Sequence, residues 1–178
     1  VTTKEVVEIV QESLLGKDAV EIVKLLNKND IMSLGLNGCD CNLLKCEKFI
    51  HPNGIDYGMV GKVISVNKVL LRSLIEENIV PVISPIGVDD YGNCYNLNSD
   101  PLAYKVATSI GSDLLVMVTN IDGVREDINN PATKIDVLDS NLMDELIKKK
   151  VISGPIITKI KACVDYTSET KNNSYIIN

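Results

Sequence analysis

The sequence predicts an α/β protein in which a mostly parallel sheet is sandwiched between helices, and three observations predict it. Segments with apolar residues at helical spacing alternate with short runs of Val, Ile and Leu, the pattern of strands buried on both faces. Turn signals such as Asn37-Gly38, Asn53-Gly54 and Gly92-Asn93 separate the segments, and no internal repeat or low-complexity stretch interrupts them. With no Trp and one Phe in 178 residues, 45% of them apolar, the core has to be aliphatic. The length suits one domain or two small lobes sharing a sheet.

Residues 4–15 carry Val6, Val7, Val10 and Leu14 at helical spacing, with Thr2 as the expected cap and Gly16 as the expected stop. A second helix is expected over 18–28, burying Ala19, Ile22, Val23, Leu25 and Leu26. Residues 31–36 read as a strand, 39–58 as irregular and polar, and 59–66 as a strand. A helix over 68–77 follows, then a buried strand over 79–86. Pro81 belongs near that strand's start and Pro85 just past its end, because proline cannot donate to a ladder. Residues 87–98 resemble a hairpin. Ser99 is the expected cap and Gly111 the stop of the next helix. Residues 113–119 form the most hydrophobic strand, and a polar loop runs from Asn120 to Lys134. Helices are expected over 139–149 and from about 155 to 169, with a last strand at 175–177. Residues 1–110 and 111–178 are the expected division into lobes.

The charge of −6 and the lack of a Lys/Arg-rich run argue against a nucleic-acid partner. No stretch has the length and apolarity of a membrane span, and no signal peptide opens the chain. The five cysteines, an odd set without a secretory leader, read as reduced thiols in the cytoplasm. Cys39-x-Cys41-x4-Cys46 lacks the paired C-x2-C spacing of a zinc site, so no metal ligands are assigned, and His51 before Pro52 reads as a loop histidine. The start at Val1 in place of Met suggests a processed chain or a fragment.

Three polar clusters fall where open α/β sheets bind ligands, at strand ends and helix starts. In Asn96-Leu97-Asn98-Ser99-Asp100, both Asn side chains lie on alternate positions of an extended segment and can face one cavity; helix capping explains the same residues more plainly. Thr119-Asn120-Ile121-Asp122-Gly123-Val124 follows the most hydrophobic strand, and its glycine lets a ligand approach the backbone; a plain turn does as well. Ile152-Ser153-Gly154-Pro155 opens a helix whose free N–H groups can meet a phosphate, with Lys159 one turn on. The ordinary alternative is a helix start with a solvated lysine. The Walker-A pattern is absent.

The order of these clusters resembles the amino-acid kinase family, and within it the acetylglutamate kinases. The likeness covers nearly the whole chain. Its most specific parts are Gly58-Met59-Val60-Gly61-Lys62-Val63 and the run Ile79–Val88, followed at the family's spacing by Tyr95–Asp100. The resemblance implies an amino-acid kinase fold, an αβα sandwich. An N-terminal lobe binds the acyl substrate and dimerises, and a C-terminal lobe binds nucleotide. It implies ATP-dependent phosphorylation of the side-chain carboxylate of N-acetyl-L-glutamate, in arginine biosynthesis, by a cytoplasmic homodimer, with Mg²⁺ carried by the nucleotide. Asp100 and Lys159 correspond to catalytic positions, and Asn96 and Asn98 to the substrate site. Thr119, Asn120, Ile121, Asp122, Gly123, Val124, Arg125, Val151, Ile152, Ser153 and Gly154 correspond to nucleotide contacts.

The family's Lys-x-Gly-Gly loop, second Gly-rich loop and substrate-gripping Arg would lie before Val1, and its last strands after Asn178. The chain alone is therefore expected to be an inactive fragment. Where the family usually has Ser-Gly-Gly, this chain has Ser153-Gly154-Pro155, which removes one N–H. Kinases acting on glutamate, aspartate, carbamate or uridylate, or a non-catalytic binding module of the same fold, are the competing expectations.

Overall fold

The computed structural model describes residues 1–120, 123–127 and 130–178. Its backbone contacts divide the chain into two units, Val1–Leu102 and Ala103–Asn178, so the division falls inside a helix.

In the first unit, α1 (Lys4–Ser13) is capped by Thr3, whose Oγ1 accepts the Val6 N–H at 3.4 Å. Thr2, the expected cap, is taken up elsewhere. Its N–H donates to Tyr57 O at 2.9 Å and its carbonyl accepts from Met59 N at 2.7 Å, in a parallel bridge to Gly58. Gly16 does not stop the helix. Residues Leu14–Asp18 form a π-helical turn, in which the Ala19 N–H reaches back five residues to Leu14 O, and α2 (Ala19–Lys28) continues from it.

That one extra residue per turn changes which face is buried. Val7 before the turn and Leu14 and Leu15 at its start face inward, and Ala19, Val23 and Leu26 face inward after it. Ile22 and Leu25, which unbroken α-helical phase would bury, are 48% and 63% exposed. The expectation that both lie on the buried side is corrected by the phase shift. The turn brings Ala19 against Gly35, where a Cβ would stand 3.4 Å from the Ala19 Cβ.

Gly35 lies in β1 (Ser33–Leu36), which pairs in parallel with β4 (Val80–Ile83). Pro81 is the second residue of β4, opposite Leu34, and Pro85 lies beyond its end, as the sequence predicts. Between these strands comes α3 (Lys68–Glu76), capped by Asn67 through the Leu70 N–H at 3.2 Å.

The remaining strands of this unit close a small barrel of β2 (Leu44–Ile50), β3 (Asp56–Val66), β6 (Cys94–Leu97) and β5 (Ile86–Val88). The pairs β2/β3 and β5/β6 are antiparallel; β3/β6 and β2/β5 are parallel. The reading of 39–58 as irregular is wrong for β2. Its run Leu44-Lys45-Cys46-Glu47 does alternate, with Leu44 and Cys46 buried, but Glu47 and Lys48 are both exposed and end the period, and the extra residues at the two register shifts lie on β3. Cys46, Tyr95 and Leu97 fill the barrel. Gly61 and Gly87 make room for them: a Cβ on Gly61 would come within 2.7 Å of the Tyr95 Cβ, and one on Gly87 within 2.9 Å of the Cys46 Sγ.

Gly38, in the Asn37-Gly38 turn, fixes the barrel to the chain that precedes it. Its N–H donates to Ile86 O at 2.8 Å and its carbonyl accepts from Leu44 N at 3.0 Å. A Cβ there would meet Ile86 O at 2.0 Å and Gly87 Cα at 2.9 Å, and neither backbone atom can swing aside. Gly38→Ala is expected to destabilise the protein by about 1–3 kcal/mol, the usual cost of overpacking. A chemical-denaturation midpoint within error of wild type would show that the turn yields instead.

In the second unit, the helix that the division crosses, α4 (Ser99–Ile110), ends at Gly111, whose φ is 71°, as expected of a helix stop. Next, β7 (Leu114–Val118) pairs in parallel with β8 (Asn173–Ile177). Leu115 and Met117 point from β7 into a core with Ala107, Ala162, Cys163 and Tyr166. The Tyr166 hydroxyl is not wasted in that core, since it donates to Ser112 O at 2.6 Å. A second cluster joins Val124, Ile152 and Ile160 to Met143 and Leu146 of α5 (Ser140–Lys148), which Asp139 caps through the Leu142 N–H at 2.9 Å. The last helix, α6, is Pro155–Thr170. Among the described residues no helix is long and apolar enough to cross a membrane.

Candidate functional site

The expected site residues divide between the two units. In the first, β6 carries Asn96, half-buried, between the buried Tyr95 and Leu97. Strand alternation explains this: odd positions fill the barrel and even positions face outward. Asn98 lies one step beyond the strand, exposed, and its Oδ1 accepts the Asp100 N–H at 3.1 Å. Asn98 therefore caps α4, the role the sequence assigns to Ser99, and Ser99 is the first residue of the helix. Asn96 thus lies in the strand, while the Asn98 side chain is used as a cap. Asp100 is half-buried in the first turn of α4, where the positive end of the helix favours its carboxylate.

In the second unit, Thr119 extends the β7–β8 pairing by one step, its N–H donating to Ile177 O at 2.8 Å, and Asn120 is exposed just past the sheet. Ile121 and Asp122 lie outside the described residues. Gly123 has φ 102°, and a Cβ there would stand 2.9 Å from the Cε of Lys134. Val124 is buried and its carbonyl accepts from Ile135 N at 2.8 Å; Arg125 bridges Lys134 in antiparallel fashion. Lys134 thus lies across the glycine of the expected nucleotide loop. Only the length of the polar loop between Gly123 and Lys134 hinted at it, because the pairing that folds the loop back is not marked by a turn motif.

Residues Val151 and Ile152 come straight after α5. Their N–H groups both point to Leu146 O, at 2.9 and 3.5 Å, and Ile152 is buried in the α5–α6 cluster. The chain then turns outward at the exposed Ser153 and Gly154. Gly154 has φ 67° and ψ −145°, a conformation that glycine alone adopts readily, yet nothing stands within 4 Å of where its Cβ would be. Glycine is required here for the shape of the backbone, not for space. Pro155 is the first residue of α6, where its fixed φ suits the helix. Ile157 N donates back to Gly154 O at 3.2 Å, so the first turn is tight. Lys159 lies on this helix, half-buried, next to the fully buried Ile160.

A cavity of about 530 Å³ also belongs to this unit. Gly123, Val124 and Lys134 form one wall, but Cys163, Thr167 and Ser174 form the other, and Ser153, Gly154 and Lys159 do not line it. The glycine-shaped entrance to α6 is the stronger indicator of an anion site, because backbone N–H groups at a helix start bind phosphate without a deep cavity. Among the described residues, no group of three or more His, Cys, Asp or Glu side chains is disposed to hold a metal ion.

The profile described as "Amino acid kinase family" matches residues 1–178. An acetylglutamate kinase of Methanococcus aeolicus is 39% identical over 185 aligned residues, spanning 100% of this chain and 63% of the relative. One from Desulforamulus reducens is 38% identical, spanning 91% of this chain and 55% of the relative. The chain thus covers less than two thirds of the length of these curated relatives. Among solved structures, smu.665 from Streptococcus mutans UA159 superposes with a TM-score of 0.86 at 24% identity, over 99% of this chain and 69% of that one. N-acetylglutamate synthase from Neisseria gonorrhoeae, complexed with coenzyme A and N-acetyl-glutamate, superposes with a TM-score of 0.83 at 19% identity, over 100% of this chain and 39% of that one. At such identities the structural likeness speaks for the fold.

Proposed function

The chain belongs to the amino acid kinase family, and from that premise we propose that the protein transfers the γ-phosphoryl group of ATP to the side-chain carboxylate of N-acetyl-L-glutamate, giving an acyl phosphate for arginine biosynthesis. The observation that carries this reading is the likeness to acetylglutamate kinases along the entire chain, at 36–39% identity in eight relatives from methanogens and Desulforamulus.

The nucleophile in this reaction needs no activation by a base, since a carboxylate with a pKa near ~4.3 is ionised at neutral pH. The obstacle is repulsion between that anion and the phosphates. Positive charge and fixed N–H donors relieve it, and they act mainly on the transition state. The backbone at Ser153 and Gly154, with the start of α6, suits phosphate oxygens. Lys159 supplies a cation to the transferring group. Asn120 through Arg125, with Val151 and Ile152, hold the nucleotide, and Thr119 fixes the start of that loop to the sheet. Pro155 takes one potential donor from the cradle. Mg²⁺ carried by the nucleotide would neutralise phosphate charge.

Asn96 binds the acyl substrate, from the outward face of β6. Asn98 contributes by fixing the start of α4, and thereby Asp100, which orients the catalytic cations. The protein acts in the cytoplasm as a homodimer. The exposed Ile22 and Leu25 of α2 give the first unit an apolar face suited to a second copy.

The test is a steady-state assay of the full-length protein with ATP, Mg²⁺ and N-acetyl-L-glutamate, against L-glutamate, L-aspartate, carbamate and uridylate as competing acceptors. N-acetyl-L-glutamate is expected to be the preferred acceptor. Asn96→Ala is expected to raise its KM about tenfold, the loss of one buried hydrogen bond to an anion, with a smaller change in kcat. Preference for another acceptor would move the protein to a sister activity, and binding without turnover would make it a ligand-binding module.

A further inference from the structure

Two cysteines that the proposed reaction does not use stand together in the first unit. Cys39 follows the Asn37-Gly38 turn and Cys94 opens β6, 55 positions away, yet their Sγ atoms are 3.4 Å apart. Cys39 is exposed and Cys94 half-buried. Both are held by backbone. The Cys39 N–H donates to the Asn37 Oδ1 at 2.7 Å, beside the Gly38–Ile86 hydrogen bond, and Cys94 pairs with Val88 across the β5–β6 hairpin. Strand β5 is therefore the common support of both sulfurs. A disulfide needs the sulfurs at about 2.05 Å, a closure within reach of side-chain rotation when the two backbones already flank one strand.

We propose that Cys39 and Cys94 are a thiol pair that closes reversibly to a disulfide in exchange with a small-molecule disulfide such as oxidised glutathione. One cysteine, deprotonated, attacks a sulfur of the small disulfide and releases one small thiolate. The other, deprotonated in turn, attacks the protein sulfur of the mixed disulfide and releases the second. The protein loses two electrons and two protons, and the small disulfide gains both as two thiols.

The other cysteines differ in setting. Cys46 is buried in the barrel against Gly61 and Gly87, and its thiol is pushed up to about 12, first by burial and then by the charge of Asp89. Cys163 is buried in the second unit. Cys41 is exposed in a 3₁₀ turn with φ 51°, and its carbonyl accepts from Asn67 Nδ2 at 2.9 Å. Burial, then the contact with Cys94, pushes the Cys39 thiol up to about 12. The raised Cys39 thiol leaves little thiolate at neutral pH, so closure that starts from Cys39 is slow.

The experiment equilibrates the purified full-length protein with oxidised and reduced glutathione at graded ratios, blocks remaining thiols under denaturing conditions, and maps the peptides by mass spectrometry. The expected product links the Cys39 peptide to the Cys94 peptide, reverts with a dithiol reductant, and raises the thermal midpoint by roughly 5 °C or more, because a long loop is closed. Trypsin leaves Cys39 and Cys41 on one peptide, between Lys28 and Lys45, so Cys41→Ser decides between them. The link should survive Cys41→Ser and vanish in Cys39→Ser and in Cys94→Ser. Mixed glutathione adducts alone, a link through Cys41, or Cys39 and Cys94 both free at every ratio in the wild-type protein would each overturn the proposal.

Discussion

Lys159→Ala, made in the full-length protein, is expected to lower kcat by ~10²–10³, the usual effect of removing one preorganised donor aimed at developing charge. The effect should fall on kcat more than on ATP affinity. The backbone around Gly154 and the Asn120–Arg125 loop would still hold the nucleotide, whereas the ammonium is proposed to meet charge that grows only as the phosphoryl group moves. Lys159 is suited to this because its neighbour Ile160 is fully buried, which fixes the helix beneath it. A lysine that merely decorates the helix would cost less than about 0.5 kcal/mol of stability and leave turnover intact. Steady-state kinetics and an ATP titration on the same folded variant separate the two, and near wild-type kcat would remove Lys159 from the mechanism.

Asp100→Asn comes next, with an expected loss on the order of 10²-fold in kcat and a smaller rise in KM. The substitution keeps shape and removes charge. The capping bond from the Asp100 N–H to Asn98 is made by backbone, so it survives, and α4 should start where it does now. What is lost is the anion proposed to hold the catalytic cations in place. A large KM effect with kcat unchanged would make Asp100 a substrate contact in the ground state. Restored activity in Asp100→Glu would point to charge more than to distance.

Much of this could be read from the chain because local rules and tertiary structure agree there. Gly111 ends α4 in the left-handed conformation that a helix stop needs, and Pro81 and Pro85 fall where a β-ladder tolerates them. The reading failed where tertiary pairing recruited residues that local rules had assigned elsewhere. Thr2 is as good a cap as Thr3, but β3 claims its backbone, so the cap moves one residue. Strand β2 was hidden because Glu47 and Lys48 are both exposed, so the alternation begun by Leu44 and Cys46 does not continue.

The site shows the same split. The order of the three clusters was legible, since each follows a strand or starts a helix. The part each residue of the first plays was not: whether an asparagine caps a helix or stays in the strand depends on where the strand ends, and Leu97 ends it between Asn96 and Asn98. The conformation of Gly154 could be suspected from Ser-Gly-Pro. The approach of Lys134 to Gly123 could not, because it depends on a loop folding back on itself.

The π-helical turn at Leu14–Asp18 has a meaning for descent. A turn that spends one residue more than an α-helix is what a single-codon insertion leaves behind when the faces on either side must keep their aim. Removing one residue, Gly16 being the least encumbered with nothing within 4 Å of its Cβ position, would restore ordinary α-helical spacing and leave Ala19 still seated on Gly35. Homologues one residue shorter in this stretch therefore need not differ in how α2 lies on β1. An alignment that spreads the gap elsewhere would misplace Ile22 and Leu25 into the core.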